Sequence, residues 1–421
     1  MLNNGTNQPV SIYNGDVQQR EVIITNIDDN TMRLVNNYNK KMQLLGNNTT
    51  IEIQLDEIVL TRIDCNGCFK VPDFVTVIDT YRHKNFNITK LILGNGVTKI
   101  RRKSFENVVG LEEIMFNSKI EHIGESAFFG TSVTEVKINT TNLLIESCAF
   151  MSVGIGGYSI KSVDIQVSGV LNIGEYTFAG NNKLVSVKGL SKAICIGRGA
   201  FRQCGITELN LTDVTGYIGD RAFVYLPLKH VNLERECNGS VGIFEGCLKL
   251  ESINIVGNRI PERMLADCCS LKDINSDTEI DVICNEALLS CKSLCIDEKL
   301  DSVQHFGEYC LRAANIKNLN NTANDVVIGT GAFSESNIRN FEFNSVAVLG
   351  EQCFKGCNSL ESIKIKHLKS FLEQDESKIP NLKSLVIEKI SVKSNMELDN
   401  LRNFVAKLKL RGVSVKVACN N

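Results

Sequence analysis

The feature that most constrains the fold of this chain is a six-residue motif that recurs about every 22 residues. IGESAF (123–128), IGRGAF (196–201) and LGEQCF (349–354) are clear copies, and we call the last residue of each copy its anchor. A unit of this length cannot bury its own apolar face, so its stability must come from contacts with neighbouring units. The anchors are Phe105, Phe128, Phe150, Phe178, Phe201, Phe223, Phe244, Leu265, Leu288, Leu311, Phe333 and Phe354.

The anchors are 21–23 residues apart, except for one interval of 28 residues. The long interval contains GIGGYS (154–159), which we interpret as a surface loop inserted without a change of register.

One copy contains Gly197-x-Gly199, which by itself is similar to the start of a phosphate-binding loop. A dinucleotide fingerprint needs a third glycine that opens a long helix, and none follows here. The same segment also belongs to a motif with twelve copies at one period. We therefore interpret both glycines as part of the repeat architecture.

A short alternating run follows most anchors, and alternation at period two predicts a strand with one buried face. A small residue such as Ala127 or Ala200 precedes many anchors, which lets neighbouring turns stack closely. We therefore predict that the anchor side chains pile up as a continuous Phe/Leu spine. The predicted strands include LNL (209–211), VNL (231–233), INI (253–255), FEF (341–343) and IKI (363–365).

The whole unit, L-x-x-I-x-I followed by I-G-x-x-A-F-x-x-C, resembles the BspA-type leucine-rich repeat, also called the Treponema pallidum type. LGEQCFKGCNSLESIKI (349–365) matches that pattern almost throughout, and the resemblance covers about residues 71–387. The resemblance implies a repeat solenoid, a curved leucine-rich-repeat array. Its short strands line the concave side, and turns with short helical or irregular segments form the convex side. Departures are the leucine anchors and a shortened unit that ends at Phe244.

The repeat divides the chain into three predicted segments. Residues 71–387 form the solenoid, residues 1–70 an N-terminal cap or small separate module, and residues 388–421 a C-terminal cap. Caps are needed because the terminal turns of a solenoid would otherwise expose its core.

Both ends carry local patterns. NTMRLVNNYNKKMQLLG (30–46) predicts a helix, with a β-hairpin as the alternative. From Asn395 a second helix is predicted, which Gly412 ends and after which VSVKVA adds a last strand. Its apolar face comprises Leu398, Leu401, Val405 and Leu408.

The chain has sixteen cysteines, and eight of them occupy columns of the repeat. We predict that they are buried, reduced thiols that act as small hydrophobic residues, with disulfides between turns as the alternative in an oxidising compartment. Spacings near 22 residues are not those of zinc ligands, so we expect no metal and no cofactor. Three column cysteines lie just before an anchor (Cys148, Cys310 and Cys353), and five lie three residues after one (Cys204, Cys247, Cys268, Cys291 and Cys357).

No arrangement of residues in the sequence predicts catalysis. Cys65-Asn66-Gly67-Cys68 is the one C-x-x-C, and we interpret it as structural, with a redox or metal role as the alternative. G-x-S-x-G, H-E-x-x-H and Walker motifs do not occur in the sequence, so we expect no catalytic residues. We interpret the scattered histidines as surface or loop residues: His83, His122, His230, His305 and His367.

Charge and hydropathy restrict the partners and the location. The formal net charge is −2 and the one tight basic cluster is Arg101-Arg102-Lys103, so a nucleic-acid partner is not expected. The sequence has neither the start of a secretory signal nor an apolar run of the ~20 residues that cross a bilayer. We therefore expect no membrane insertion, and either a cytoplasmic location or cell-surface display by a non-standard route.

The outward position of each predicted strand defines a column of candidate binding residues. Strands stack ~4.8 Å apart, so asparagines in this column can form a hydrogen-bonded ladder. The ladder is either a solvated stripe or a strip that grips an extended polypeptide or a glycan, and we predict that Asn232 and Asn254 lie under any ligand. The candidate binding residues are Lys137, Asp164, Asn210, Asn232, Asn254, Asn275, Asn320, Glu342 and Lys364.

The resemblance implies a non-catalytic role, because members of this family are associated with adhesion and with binding of host or matrix proteins. The expected function is a protein–protein interaction scaffold or adhesin that binds its partner on the concave face. The alternatives are a glycan-binding surface protein, and a regulatory or enzymatic activity in residues 1–70.

Overall fold

In the computed structural model, each repeat contributes short parallel strands and tight turns to a β-solenoid. The chain forms two units, residues 1–205 with 214–217 and residues 206–213 with 218–421. Most of the loop predicted at 154–159 and much of residues 1–49 lie outside the described residues. The structure describes residues 10–12, 20–22, 32–34, 41–44, 50–54, 57–83, 86–153, 159–211, 214–237 and 239–418.

The first unit consists of strands joined by turns and one 3-10 helix, Leu190–Lys192. Its strands are β1 (Val10–Ile12), β2 (Arg20–Val22), β3 (Met32–Leu34), β4 (Lys41–Leu44), β5 (Thr50–Gln54), β6 (Glu57–Arg62), β7 (Asn66–Lys70), β8 (Val77–Ile78), β9 (Asn87–Ile92), β10 (Lys99–Ile100), β11 (Glu113–Met115), β12 (His122–Ile123), β13 (Glu135–Thr140), β14 (Leu143–Ile145), β15 (Ser162–Val167), β16 (Leu171–Ile173), β17 (Ser186–Lys188) and β18 (Ala193–Ile196).

The helix predicted for residues 30–46 is wrong, and the alternative hairpin is confirmed. β3 and β4 pair antiparallel. β4 also pairs antiparallel with β5, and β5 pairs antiparallel with β6. β6 then pairs parallel with β8, where the solenoid ladder begins. Pairing with this sheet gives the backbone of β3 and β4 its partners, and tertiary pairing of this kind overrides a helical spacing of apolar residues.

Each complete turn carries two kinds of strand. Most leading strands end at the buried aliphatic residue that opens a motif copy, and together with β6 they form the parallel sheet β6-β8-β10-β12-β14-β16-β18. Trailing strands follow the anchors and form the sheets β7-β9-β11 and β13-β15-β17. β13 alternates exposed and buried residues along its whole length, as predicted for a strand with one face on the core.

The glycines of the opening motif are architectural, as predicted. A methyl group on Gly197 would lie 2.5 Å from the carbonyl carbon of Gly174 in the preceding turn, so only glycine permits this approach. Gly199 has a left-handed backbone, with φ 59°. The residue two positions before the anchor is left-handed in every one of the twelve copies, from Lys103 (φ 58°) to Gln352 (φ 51°).

The predicted spine is confirmed in the first unit as a stack of five anchor rings. Successive ring centroids are 5.2, 5.2, 5.5 and 5.4 Å apart along the stack of Phe105, Phe128, Phe150, Phe178 and Phe201. All five rings are at most 2% exposed. The backbone keeps the same register, because the N–H of each of the first four anchors donates to the carbonyl oxygen of the residue before the next anchor.

The second unit adds a C-terminal helix, α1 (Asn395–Leu410), and two 3-10 helices, Asp297–Leu300 and Glu376–Lys378. Its strands, with the one that begins at Tyr217, are β19 (Tyr217–Ile218), β20 (His230–Asn232), β21 (Ser252–Ile255), β22 (Arg259–Ile260), β23 (Asp273–Ser276), β24 (Val282–Ile283), β25 (His305–Phe306), β26 (Asn318–Asn321), β27 (Val326–Ile328), β28 (Asn340–Leu349), β29 (Ser362–Leu368), β30 (Ser384–Ile390) and β31 (Ser414–Val417).

In the second unit the trailing strands β20, β21 and β23 form one sheet, and β22-β24-β25-β27 are leading strands. The ten-residue β28 pairs with β26 at its start and with β27 at its end, and so joins both kinds of strand before β29, β30 and β31. The strand predicted at LNL (209–211) is wrong: these residues are irregular, and within the described residues β20 pairs only with β21.

The anchors of the second unit are also buried, including the three leucines. Ring centroids are 5.9 Å apart for Phe223 and Phe244, and 6.3 Å for Phe333 and Phe354. Between these pairs the register is kept by backbone hydrogen bonds, such as the 3.0 Å bond from the N–H of Leu265 to the next turn.

The C-terminal cap contains the predicted helix and the predicted last strand. α1 begins after Ser394, whose Oγ accepts from the N–H of Glu397, and β31 pairs with β30. The predicted apolar face is partly wrong, because the helix buries Phe404 and leaves Leu398 and Val405 partly exposed. Phe404 packs on Phe371, with ring centroids 5.5 Å apart. The buried side chains of α1 are Leu401, Phe404 and Leu408.

Candidate functional site

The predicted amide ladder forms on the trailing strands of the second unit. Asn232 lies opposite Asn254, and Asn254 lies opposite Asn275, on β20, β21 and β23. Asn254 Nδ2 donates to Asn232 Oδ1 at 3.2 Å, and Asn275 Nδ2 donates to Asn254 Oδ1 at 3.1 Å. All three side chains are exposed, while the neighbouring Ile253 and Ile274 are buried. The strands therefore hold a straight row of amides above an apolar core.

A fixed cation ends this row. Lys299 Nζ donates to Asn275 Oδ1 at 3.2 Å and to the carbonyl oxygen of Ile274 at 2.8 Å, and it forms an ion pair with Asp273 at 2.5 Å. Lys299 belongs to the 3-10 helix Asp297–Leu300, which stands in the irregular unit of Cys295. The ladder therefore passes from neutral amides to a charged end within one turn.

A surface depression of about 400 Å³ lies at this irregular unit. A 3-10 segment cannot pair as a strand, so the row of trailing strands is interrupted between β23 and β26. The exposed Cys295 lies in the depression together with Lys299 and Lys317. Asp297 closes one side, because its carboxylate accepts from the backbone N–H of Lys317 at 3.2 Å and of Asn318 at 2.9 Å.

The remaining column residues of the second unit continue the polar face beyond the interruption. Asn320, Glu342 and Lys364 are in register on β26, β28 and β29, and Lys364 Nζ lies 2.7 Å from Glu342 Oε1. A parallel row joins Asn340 to Asn318 at 2.8 Å and Ser362 to Asn340 at 2.8 Å. Asn210 is exposed and lies outside the described strands.

In the first unit the column is charged. Lys137 and Asp164 lie opposite each other on β13 and β15, and line a depression of about 370 Å³ with Phe116 and Gln166. Lys137 Nζ lies 2.8 Å from Glu135 Oε2. This hydrogen bond and the paired charge raise the pKa of Lys137 and lower the pKa of Glu135.

The predicted burial of the cysteine columns is confirmed, with Cys148 only partly buried, and the described cysteines are free thiols. Each thiol three residues after an anchor lies close to the carbonyl oxygen of the preceding anchor, at 3.0–3.4 Å. Burial raises the pKa of Cys247 to about 12 and that of Cys357 to about 11. Because the thiolate is the reactive form, these columns are structural.

The other candidate groups are dispersed. His83, His230 and His305 are exposed, and the last two lie on strands. His122 Nε2 lies 2.8 Å from Glu146 Oε1, and His367 Nε2 lies 2.8 Å from Ser391 Oγ. Cys65 Sγ lies 3.6 Å from the carbonyl oxygen of Cys68. Across the described ranges, no three metal-ligating side chains come together.

Sequence reasoning missed one depression, of about 460 Å³, beside Gly239 and Ser240. The signal in the sequence was the shortened unit that ends at Phe244.

Within the described residues, no helix has the length and apolar character needed to cross a bilayer.

Several solved structures are similar to this chain at low identity. A leucine-rich repeat protein from Bacteroides ovatus is 15% identical, with 89% of this chain and 99% of that chain covered and a TM-score of 0.48. The pneumococcal vaccine antigen PcpA is 13% identical, with 90% and 99% covered and a TM-score of 0.43. A T. pallidum leucine-rich repeat protein is 13% identical, with 62% and 95% covered and a TM-score of 0.24. No curated protein matches the chain significantly.

A family model described as the BspA type leucine rich repeat region, in six copies, matches residues 65–155, 155–268 and 258–383. The match includes all twelve anchors and well over half of the chain. Proteins built from this repeat are typically non-enzymatic, and the family suggests an interaction or surface role with protein partners. The chain belongs to the BspA-type leucine-rich repeat family.

Proposed function

We propose that the protein is a non-catalytic scaffold that binds an extended segment of a partner protein on the outward face of its trailing strands. The centre of the site is the amide ladder of Asn232, Asn254 and Asn275, with the depression at Cys295 at its end. The family resemblance supports a position of the trailing strands on the concave side of the solenoid.

The observation that carries this proposal is the in-register ladder. An asparagine amide has two N–H donors and an oxygen with two lone pairs. Asn254 uses one donor toward Asn232 and one lone pair toward Asn275, so one N–H and one lone pair remain for a ligand. A peptide backbone offers the complementary pair at every residue. The row therefore suits the main chain of an extended polypeptide.

The depression at Cys295 supplies the second element of the site. Its position at the end of the ladder allows one partner side chain to enter while the backbone lies along the amides. Lys299 and Asp273, paired at 2.5 Å, give that end charges of both signs. Asn320, Glu342 and Lys364 would extend the contact within the second unit. That Asn210, Lys137 and Asp164 also contact a partner stays a prediction.

A polypeptide is favoured over a glycan on this surface. The outward positions of β20, β21 and β23 carry His230, Ser252, Asp273 and the three asparagines, and the ladder itself has no apolar patch. Sites for small ligands are lined mostly by apolar and aromatic side chains, whereas main-chain recognition needs only aligned donors and acceptors.

The test uses a random peptide display library selected on the immobilised full-length protein. Peptides enriched on the wild type should be lost on the double variant Asn232→Arg/Asn254→Arg, because bulky charges replace the amides. The control is Thr278→Arg/Gln304→Arg, which adds the same charge at exposed residues outside the trailing strands. Retained binding by the ladder variant would refute the placement, and equal loss in the control would show a charge effect only.

A further inference from the structure

The depression of about 460 Å³ lies beside residues 239–241 of the shortened unit. These described residues form no strand, and the leading ladder of the second unit runs from β22 through β24 and β25. The gap leaves one wall formed by Gly239 and Ser240, and the other by these strands. It lies on the leading strands, away from the amide ladder, and is independent of the proposed function.

Several chemically active side chains converge on this cavity. Arg259 and His305 are exposed on the outward face of β22 and β25, each in register with Val282 of β24. Cys284 follows β24 directly, and Arg259 Nε donates to its Sγ at 2.9 Å. Arg259 lines the cavity, and within the described part of the chain no carboxylate forms an ion pair with it.

This setting differs from that of the column thiols. Cys284 is partly exposed and touches a guanidinium, whereas the column thiols are buried against carbonyl oxygens. The nucleophile in thiol chemistry is the thiolate, and a neighbouring cation favours it. Cys284 is therefore a thiol that a solvent-borne reagent can reach and whose sulfur lies within hydrogen-bonding distance of a guanidinium.

The surrounding groups select the reagent. Arg259 and His305 suit carboxylates, and the exposed Glu262 on the same cavity suits an ammonium group. The cavity volume lies within the range of ~300–1,000 Å³ that is typical of small-molecule sites. These features together fit a small zwitterionic peptide with more than one carboxylate.

We propose that Cys284 undergoes thiol–disulfide exchange with a low-molecular-weight peptide disulfide of the glutathione disulfide class. Cys284 loses its proton to solvent, and its Sγ attacks one sulfur of the disulfide. A new S–S bond to Cys284 forms as the old S–S bond breaks, and the second half leaves as a thiolate that takes a proton from solvent. Cys284 is oxidised to a mixed disulfide, and the released half is reduced to a thiol.

The test treats the native full-length protein with glutathione disulfide and follows each cysteine by intact mass and peptide mapping. Cys284 should be modified about tenfold faster than Cys295, although Cys295 is the more exposed of the two. Arg259→Gln should lower the rate at Cys284 about tenfold and leave Cys295 unchanged. Arg339→Gln, a change at an exposed arginine elsewhere in the second unit, should alter neither rate.

A neutral disulfide, 2-hydroxyethyl disulfide, tests the ligand class. The ratio of the glutathione disulfide rate to the neutral disulfide rate should be higher at Cys284 than at Cys295, and it should fall in the double variant Arg259→Gln/His305→Gln. The proposal is overturned if Cys284 reacts no faster than Cys295, or if Arg259→Gln leaves its rate unchanged. Equal ratios at both cysteines overturn the assignment of a charged peptide ligand.

Discussion

Gly199 lies directly against the ring of Tyr176, one turn earlier in the repeat, so that a methyl group at Gly199 would come within 2.5 Å of Tyr176 Cε1. Gly331 has the same relationship to Tyr309, with a distance of 2.3 Å to Cε1. The pairing explains why glycine occupies a position at which other turns carry larger residues such as Ser126 with the same left-handed backbone. The ring of one turn covers the place where the next side chain would stand.

Gly199→Ala should therefore lower the free energy of unfolding by about 1–3 kcal/mol, the cost of backbone strain plus a steric clash. Gly67→Ala is the matched control, because Gly67 also has a positive φ, 78°, but has no neighbouring atom within 4 Å of an added methyl. Urea denaturation of the full chain measures both. Gly199→Ala should lower the free energy of unfolding more than Gly67→Ala does, and this difference should shrink in a Tyr176→Ala background. Equal losses of unfolding free energy in the two variants would contradict the packing explanation.

Phe150→Ala should destabilise the protein by ~3–5 kcal/mol. Phe150 stacks between Phe128 at 5.2 Å and Phe178 at 5.5 Å, so its removal leaves a cavity that both neighbouring turns line. Because each turn of a repeat protein contacts mainly its neighbours, hydrogen exchange should show the largest loss of protection in β12, β14 and β16. Phe129→Ala, at the half-buried residue that follows the anchor Phe128, should cost much less. Uniform loss of protection along the chain would argue against a stacked spine.

Glu245 should make stability fall in acid. Its side chain is 8% exposed and lies between Arg221 at 3.1 Å and Arg263 at 2.8 Å. Burial raises the pKa of Glu245, but the hydrogen bonds and charges of the two arginines outweigh burial and hold it below its ordinary 4.5. A lowered folded-state pKa means that the stabilisation is present above pH 4.5 and is lost as the pH falls through the folded value.

Glu245→Gln should therefore cost about 1–2 kcal/mol at pH 7, since both arginines are partly solvated, and the difference from wild type should vanish in acid. Glu135→Gln, which removes an exposed pair with Lys137, should have little effect at either pH. Urea denaturation at several pH values measures the free energy of unfolding of each protein. A difference between Glu245→Gln and the wild type that does not change with pH would point to packing and not to charge.

The period of the anchors and the helix and strand of the C-terminal cap could be predicted because they leave long patterns in the sequence. A leading strand such as Lys99–Ile100 has two residues, too few to display alternation, so the second row of strands could not be predicted. The helix face was misplaced because spacing alone does not identify Phe371 as the partner of Phe404. The amide ladder could be predicted from one column of the repeat. The cavity at Cys284 could not, because it depends on the irregular backbone of residues 239–241 in the shortened unit.

The buried thiols should make stability fall in alkali. Burial raises the pKa of Cys247 from 9.0 to about 12 and of Cys357 to about 11, while both thiols ionise near 9 in the unfolded chain. A raised folded-state pKa means that the stabilisation is fully present below pH 9 and is lost as the pH rises toward 11–12, because the unfolded chain releases protons that the folded chain retains. The double variant Cys247→Ala/Cys357→Ala should show a shallower decline of the free energy of unfolding between pH 9 and 11 than the wild type. Cys68→Ala/Cys295→Ala, which removes two exposed thiols, should leave the decline unchanged, and parallel curves for all three proteins would show that the column thiols do not cause it.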